Sequence, residues 1–361
     1  MSAPVMIMAG GTGGHVIPAL AVAGALRGRR EVVWLGTERG IEARLVPAAG
    51  YPVEWIEVAG LRGKGPGRWL TAPFTLARAV GQARAALLRR RPGVVLGCGG
   101  FASGPGGIAA WLAGTPLVIH EQNAVAGLTN RWLARFAAKV AEGFPGSFPT
   151  DRGALYVGNP VRSAIAELPP PRDRYGPRQG PLSLLVIGGS QGAAALNRLL
   201  PEAAGLLPAS RRPQVVHQCG VRDRAVTEEA YARAGVQAVV HEFIEDMAEA
   251  YADADLVVAR AGASTVAELA AAGVASILVP LPAAVDDHQT RNAGWLAEVG
   301  AAQVVAESGL TAPELANRIA TLGSGGRAKL LAMAEAARGR AITDAAERVA
   351  ALCLEVEEGS A

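Results

Sequence analysis

Short apolar runs that stop at a glycine or a histidine alternate along this chain with polar-and-apolar segments of helical length. Val5–Ala9 precedes Gly10, Val32–Leu35 precedes Gly36, Val94–Leu96 precedes Gly97, and Leu117–Ile119 precedes His120. Runs that are apolar on both faces and separated by helices predict a parallel sheet covered on both sides. The rhythm breaks at Leu168–Pro181, a stretch rich in proline and charge that reads as an exposed linker. It resumes with Leu182–Ile187 before Gly188, then Gln214–His217, Val239–Val240, Leu256–Ala259 and Ser276–Pro280. The pattern therefore predicts an α/β chain of two doubly wound domains, 1–163 and 164–340, joined near residue 165. From about Ala312 onward the chain is alanine-rich and helical, and periodicity does not say where its last helix packs.

Length agrees, since 361 residues suit two domains at about 150 each. No apolar stretch reaches the ~18 residues of a membrane span, and the N-terminal segment lacks the basic region of a signal peptide. The three cysteines, Cys98, Cys219 and Cys353, match neither a disulfide framework nor a metal-ligand spacing, so a cytoplasmic setting is expected. Charge changes the picture more. Residues 1–160 carry a net +9 and residues 161–361 a net −6. The first half is thus expected to meet something anionic.

The chemistry gathers at strand ends. Gly10-Gly-Thr-Gly-Gly-His15 follows a strand and precedes a helix, so backbone amides and a helix N-terminus converge in the manner of a phosphate-holding turn. Val16 stands where the dinucleotide fingerprint needs its third glycine, and no Lys-Ser/Thr follows as in a nucleotide triphosphatase loop. Gly188-Gly-Ser-Gln-Gly192 repeats the logic in the second half, with the Ser190 hydroxyl suited to a pyrophosphate. A third cluster, Gly97 to Gly107, offers backbone that a bulky ligand can approach, or serves as a plain connection. Ser264 and Thr265 stand at an expected helix start with Glu268 one turn in, placed either to grip ribose hydroxyls or simply to cap the helix. His120-Glu-Gln-Asn123 closes another strand, and Asn159-Pro-Val-Arg162 ends the first half with an arginine for a phosphate.

No acidic residue occurs between Glu57 and Glu121, while Arg62, Lys64, Arg68, Arg78, Arg84 and Arg89–Arg91 do. Trp69, Leu70, Phe74, Leu76 and Val80 are interleaved, with Leu76, Val80, Ala83 and Leu87 at helical spacing. Such a segment reads as a contact with an anionic membrane surface, the alternative being a core helix with a solvated basic face. Nucleic acid is not expected, because no recognition motif or stacking platform accompanies the charge. Nor is a metal: Asp253-Ala-Asp255 runs into an apolar strand, and Asp286-Asp287-His288 reads as a polar loop.

With Gly60-Leu-Arg-Gly-Lys-Gly65, Gly127-Leu-Thr-Asn130, Phe243-Ile-Glu-Asp-Met247, Arg260–Glu268 and Asp287-His-Gln-Thr-Arg-Asn292, these motifs run in order along nearly the whole chain. In that order the chain resembles the MurG family. Its members move N-acetylglucosamine from UDP-N-acetylglucosamine to undecaprenyl-pyrophosphoryl-N-acetylmuramoyl-pentapeptide in peptidoglycan synthesis. The resemblance implies a GT-B fold with two Rossmann-like domains facing across a cleft, residues from about 341 to 361 returning to the first domain, and a peripheral place on the cytoplasmic face of the inner membrane. It assigns the donor to Arg162, Ser190, Gln191, the backbone of Ile244, the 263–268 stretch (Ala263, Ser264, Thr265, Val266, Ala267 and Glu268) and Gln289. Thr12, Gly13, Gly14 and Asn123 complete that pocket from the first domain, which also holds the lipid acceptor. The membrane contact falls on Arg68, Trp69, Leu70, Phe74, Leu76, Arg78 and Val80.

Such a transfer inverts the anomeric centre as the acceptor's C4 hydroxyl attacks C1 and UDP leaves. A base must take the hydroxyl proton, and His15 is the candidate, with Glu121 its rival. Amides around Ser190 and Arg162 meet the charge on the leaving diphosphate, so no cofactor and no metal is required. A UDP-sugar hydrolase or epimerase shares the donor features, and a non-catalytic lipid-surface sensor shares the basic segment. A nicotinamide oxidoreductase is disfavoured by Val16.

Overall fold

The computed structural model describes residues 2–58, 67–189, 192–282 and 284–359, with the backbone alone for 67–72 and 285. The chain divides into two compact units, Met1–Arg162 with Ile342–Ala361, and Ser163–Ala341. The first unit runs β1 (Val5–Met8), α1 (Gly13–Leu26), β2 (Val32–Gly36), α2 (Glu42–Ala48), β3 (Val53–Trp55), α3 (Gly67–Arg90), β4 (Val94–Gly97), α4 (Ser103–Leu112), β5 (Leu117–Glu121), α5 (Leu128–Leu133), β6 (Lys139–Glu142) and β7 (Leu155–Tyr156). The second runs α6 (Ser163–Ala166), α7 (Pro171–Tyr175), β8 (Ser183–Ile187), α8 (Ala194–Leu206), β9 (Gln214–Gln218), α9 (Arg224–Arg233), β10 (Ala238–His241), α10 (Met247–Asp253), β11 (Leu256–Ala259), α11 (Ala263–Ala272), β12 (Ala275–Leu278), α12 (His288–Ala297), β13 (Ala302–Val304), α13 (Ala312–Ser324) and α14 (Gly326–Arg340). The last helix, α15 (Ala345–Glu358), belongs to the first unit again.

Each unit holds one sheet, ordered β3-β2-β1-β4-β5-β6-β7 in the first and β10-β9-β8-β11-β12-β13 in the second. All strand pairs of the described residues are parallel. Alternate strand side chains go to opposite faces, and the first unit shows why the runs must be wholly apolar. Val5, Ile7, Trp34 and Leu96 enter a core shared with α1 and α15. Met6, Met8, Leu35 and Ile119 enter another with α3 and α4. In each sheet the chain winds outward on one side and then crosses back, so the switch falls between β1 and β4, and between β8 and β11. Turns leaving those strands at their C-terminal ends frame a crevice in which ligands of such sheets bind.

Two features depart from the sequence pattern. β3, β6, β7 and β13 do not appear as apolar runs, because they are short, lie toward the sheet margins and carry polar residues such as Glu54, Lys139 and Gln303. The stretch 168–181 is largely exposed, as expected, but it is docked on the second unit rather than free, with Pro171 and Tyr175 buried. Tyr175 is 2% accessible, donates its hydroxyl proton to Asp255 O at 2.9 Å, and lies beneath Arg174 and Arg178. Buried Asp255 accepts from Arg178 at 2.7 Å, Arg327 at 2.9 Å and Ser183 N at 2.9 Å. Burial works to raise its carboxyl pKa, but bonds from Arg327, Ser183 and Arg178 outweigh it and hold the group below its ordinary range. Asp255 is thus neutralised by the chain's own cations. No helix among the described residues is long and apolar enough to cross a membrane.

Candidate functional site

At the C-terminal edge of the first sheet, the turns after β1, β4 and β5 meet. β1 and β4 end side by side, with Met8 paired to Gly97. Gly100, at φ +85°, lies so close to the first glycine turn that a Cβ would sit 2.1 Å from Gly10 O. A Cβ on Gly99 would come within 2.9 Å of His15 Nδ1 and Cε1. Further along, Gly106 makes room for Met8 and Gly107 for Leu133. The cluster from Gly97 to Gly107 therefore admits the protein's own backbone and the His15 ring.

The first turn differs from an open phosphate cradle for a specific reason. Glu42, wholly buried at the start of α2, accepts from Gly11 N at 2.9 Å, Thr37 N at 3.1 Å and Thr37 Oγ1 at 2.7 Å. Glu42 thus occupies the Gly11 amide, which is no longer available to a bound anion. Thr12 adopts the extended N-cap conformation of α1, and Gly13 and Gly14 form its first turn. His15 is half-buried, its Nδ1 3.0 Å from Gln122 Oε1.

Glu121, 2% accessible, has both oxygens engaged. Oε1 accepts from Asn123 N and Nδ2 at 2.9 and 3.1 Å, and Oε2 from Gly127 N and Asn130 Nδ2 at 3.0 and 2.9 Å. This geometry makes it the organiser of the loop bearing Asn123. Arg162 is half-buried as the last residue of the first unit.

In the second unit, the turns after β8 and β11 are adjacent, Ile187 pairing with Ala259. Gly192, at φ +76°, cannot be replaced without collision, since a Cβ would lie 2.2 Å from Cys219 O. Gln218 brackets Gly189, accepting from its N–H at 3.2 Å and donating to its carbonyl at 2.9 Å. The turn leads into α8, whose N-terminus supplies the dipole and unpaired amides that favour an anion. Ser190 and Gln191 lie outside the described residues.

After β11, Arg260 donates to Val279 O and Pro280 O and pairs with Glu307. Helix α11 is capped by Gly262 without a side-chain bond, so Ser264 and Thr265 are first-turn residues and not caps. Ala263, Val266 and Ala267 are buried, and Glu268 accepts from the Tyr251 hydroxyl at 3.1 Å. Ile244 lines a cavity of about 500 Å3 with Phe243 and Asp246. Gln289, in the first turn of α12, accepts from Leu281 N at 2.9 Å.

Two family profiles match this chain: the glycosyltransferase family 28 N-terminal domain over residues 5–142, and the family's C-terminal domain over 183–349. The chain belongs to glycosyltransferase family 28. Among curated family 28 relatives, the UDP-N-acetylglucosamine--N-acetylmuramyl-(pentapeptide) pyrophosphoryl-undecaprenol N-acetylglucosamine transferase of Nitrosococcus oceani is 56% identical, over 99% of this chain and all of its own. The protein of that name from Alkalilimnicola ehrlichii is 55% identical over 98% and 99%. Among solved structures, Acinetobacter baumannii MurG superposes with a TM-score of 0.82 at 42% identity, covering 98% and 99% of the two chains. The fold of this family 28 chain is thus GT-B, built from two Rossmann-like domains.

The basic segment of the family 28 chain divides in two. Ala83 and Leu87 are buried, and Val80 packs half-buried on the core with part of its surface open. Phe74 is 79% and Leu76 42% accessible, and Arg78 pairs with Glu57 at 3.0 Å in the open. Arg89 and Arg90 both bind Glu54; burial tends to raise its pKa, and these two bonds carry it below the ordinary value instead. The side chains of Arg68, Trp69 and Leu70 and the motif 60–65 lie outside the described residues. Sequence reasoning did not single out Trp111 and Trp132, exposed indoles that pack on half-buried Phe136 with ring centroids 5.0 and 5.1 Å from it. Only the Trp132 and Phe136 spacing of four residues signals this packing, because Trp111 comes from another helix.

Proposed function

We propose that this family 28 enzyme transfers N-acetylglucosamine, with inversion, from UDP-N-acetylglucosamine to the C4 hydroxyl of undecaprenyl-pyrophosphoryl-N-acetylmuramoyl-pentapeptide. The observation that carries this reading is the end-to-end likeness to transferases named for that reaction, at 56% identity. The strand-end turns give it chemistry. The donor's diphosphate is met by the N-terminus of α8, a helix end contributing ~0.3–1 kcal/mol per charge, and the resemblance assigns Ser190, Gln191 and Arg162 to the same group. In this reading Glu268 holds the ribose, Ile244 the uracil and Gln289 the sugar, and Thr12, Gly13, Gly14 and Asn123 are the donor-sugar residues of the first domain. His15 takes the acceptor proton, a role worth roughly a hundred- to ten-thousandfold in rate. Glu121 serves as loop organiser, since its oxygens already hold four donors.

The acceptor is a lipid, so the enzyme works peripherally at the cytoplasmic face of the inner membrane, against an anionic surface. Exposed Phe74 and Leu76, beside the arginines of α3, supply apolar insertion and charge attraction. No metal or cofactor is needed, because fixed amides and an arginine meet the leaving charge. Incubation with UDP-N-acetylglucosamine and a short-chain lipid acceptor should release UDP and disaccharide in equal amounts, unaffected by a chelator. UDP without disaccharide would mean hydrolysis, and activity lost to chelation and restored by one divalent ion would overturn metal independence.

A further inference from the structure

His120, the first residue of the polar quartet ending β5, is 1% accessible and has no route to substrate. Its Nε2 lies 3.0 Å from Gly158 O, and its Nδ1 lies 3.1 Å from Gln122 Nε2. Gln122 Oε1 in turn lies 3.0 Å from His15 Nδ1. We infer that Gln122, held between buried His120 and His15, is a positioning residue that keeps His15 as the Nδ1–H tautomer and leaves the His15 Nε2 lone pair bare to accept the proton. This rests on the reading of His15 as the base.

The hydrogen positions follow from groups that have no choice. A carbonyl oxygen only accepts, so His120 Nε2 must carry a proton for Gly158. Burial lowers the His120 pKa, against the raising effects of the Gly158 bond and the neighbouring Glu121 carboxylate, so the ring is neutral and Nδ1 is an acceptor. The Gln122 amide must then present its NH2 to His120. The same NH2 donates at 3.2 Å to His120 O, again an obligate acceptor. Turning the amide over would set oxygen against both, so its orientation is fixed twice. Oε1 is left facing His15, whose Nδ1 must donate. Asn159 anchors the device by donating from Nδ2 to Gln122 O at 2.9 Å, and Gly99 lies flush against the His15 ring.

The consequence is chemical. An untethered neutral imidazole favours the Nε2–H form, and the nitrogen carrying the proton is set by the bond the other nitrogen makes. A histidine lacking the relay would spend most of its time with the wrong nitrogen protonated. Five histidines in the chain keep an imidazole nitrogen spectrum readable, with the His15 signals identified by their loss in His15→Ala. At a pH where the ring is neutral, the wild-type spectrum should show His15 with a pyrrole-type Nδ1 and a pyridine-type Nε2. Gln122→Met should shift His15 toward the Nε2–H form and slow single turnover by about ten- to a hundredfold, less than His15→Ala, with KM for donor little changed.

Gln122→Glu keeps an acceptor for His15 but sets its second oxygen against the His120 Nδ1 and His120 O acceptors, so it should recover only a small part of that rate. A wild-type His15 in the Nε2–H form overturns the relay whatever the kinetics, and this holds even if Gln122→Met does not fold. Slow His15→Ala with wild-type-like Gln122→Met also overturns it while leaving the base reading intact. An unimpaired His15→Ala overturns the base reading, and the positioning role with it.

Discussion

Glu42 holds three donors without access to water, and nothing in its local sequence separates it from an ordinary helix-surface charge. Glu42→Ala leaves Gly11 N and Thr37 unsatisfied behind the first turn. An orphaned buried donor costs about 1–3 kcal/mol, so the variant should lower the urea midpoint and slow turnover together. His217 is the second such case. It lies wholly buried between Tyr231 and Asn197, and burial pulls its pKa down to about 4. Its ordinary value is near 6.5, so between these values the unfolded chain binds the extra proton and the folded one does not. The stabilisation is complete above pH 6.5 and lost as pH falls toward 4, by about 3 kcal/mol. Protection factors of the β8 and β9 amides, taken against the intrinsic exchange rate at each pH, should fall on acidification, and His217→Gln should remove that component.

Among the elements, α3 is the one whose single periodicity conceals two environments. Leu76, Val80, Ala83 and Leu87 keep helical spacing, yet among the described side chains of α3 the first buried one is Ala79. The spacing is common to a core stripe and a membrane-facing stripe, so only neighbours distinguish them. Phe74→Ser with Leu76→Ser should weaken sedimentation with anionic vesicles and leave the melting temperature unchanged. Leu87→Ser should do the reverse, since it removes a large apolar group from the core. The paired glycine turns divide in the same way. Both follow a strand and precede a helix, and the sequence makes them equivalent. In one, Glu42 occupies the Gly11 amide and His15 follows, while the other leads into α8.

For the whole molecule, the return of α15 to the first unit is the largest non-local dependence. Val349, Ala350 and Cys353 are 0% accessible there, beside Val5 and Ile7, and Arg30 pairs with Glu357 at 2.8 Å. Val349, Leu354 and Val356 alone contribute of the order of 5–9 kcal/mol at about 1.5–3 each, comparable with the entire stability of a domain. A chain ending at residue 341 should therefore lose its cooperative melt in the first unit and bind a hydrophobic dye; an unchanged melt would contradict the assignment. The sequence by itself determined the α/β class, the two-part organisation and the family motifs, because strand burial and glycine turns are written in local periodicity. It also brought His15 and the 120–123 quartet forward. Only the tertiary structure decided the switch points, the docking of 168–181, and the path from Gly158 through His120 and Gln122 to His15. Those depend on which turns become neighbours once the sheets are wound, and residues 143 positions apart in the chain carry no mark of that meeting.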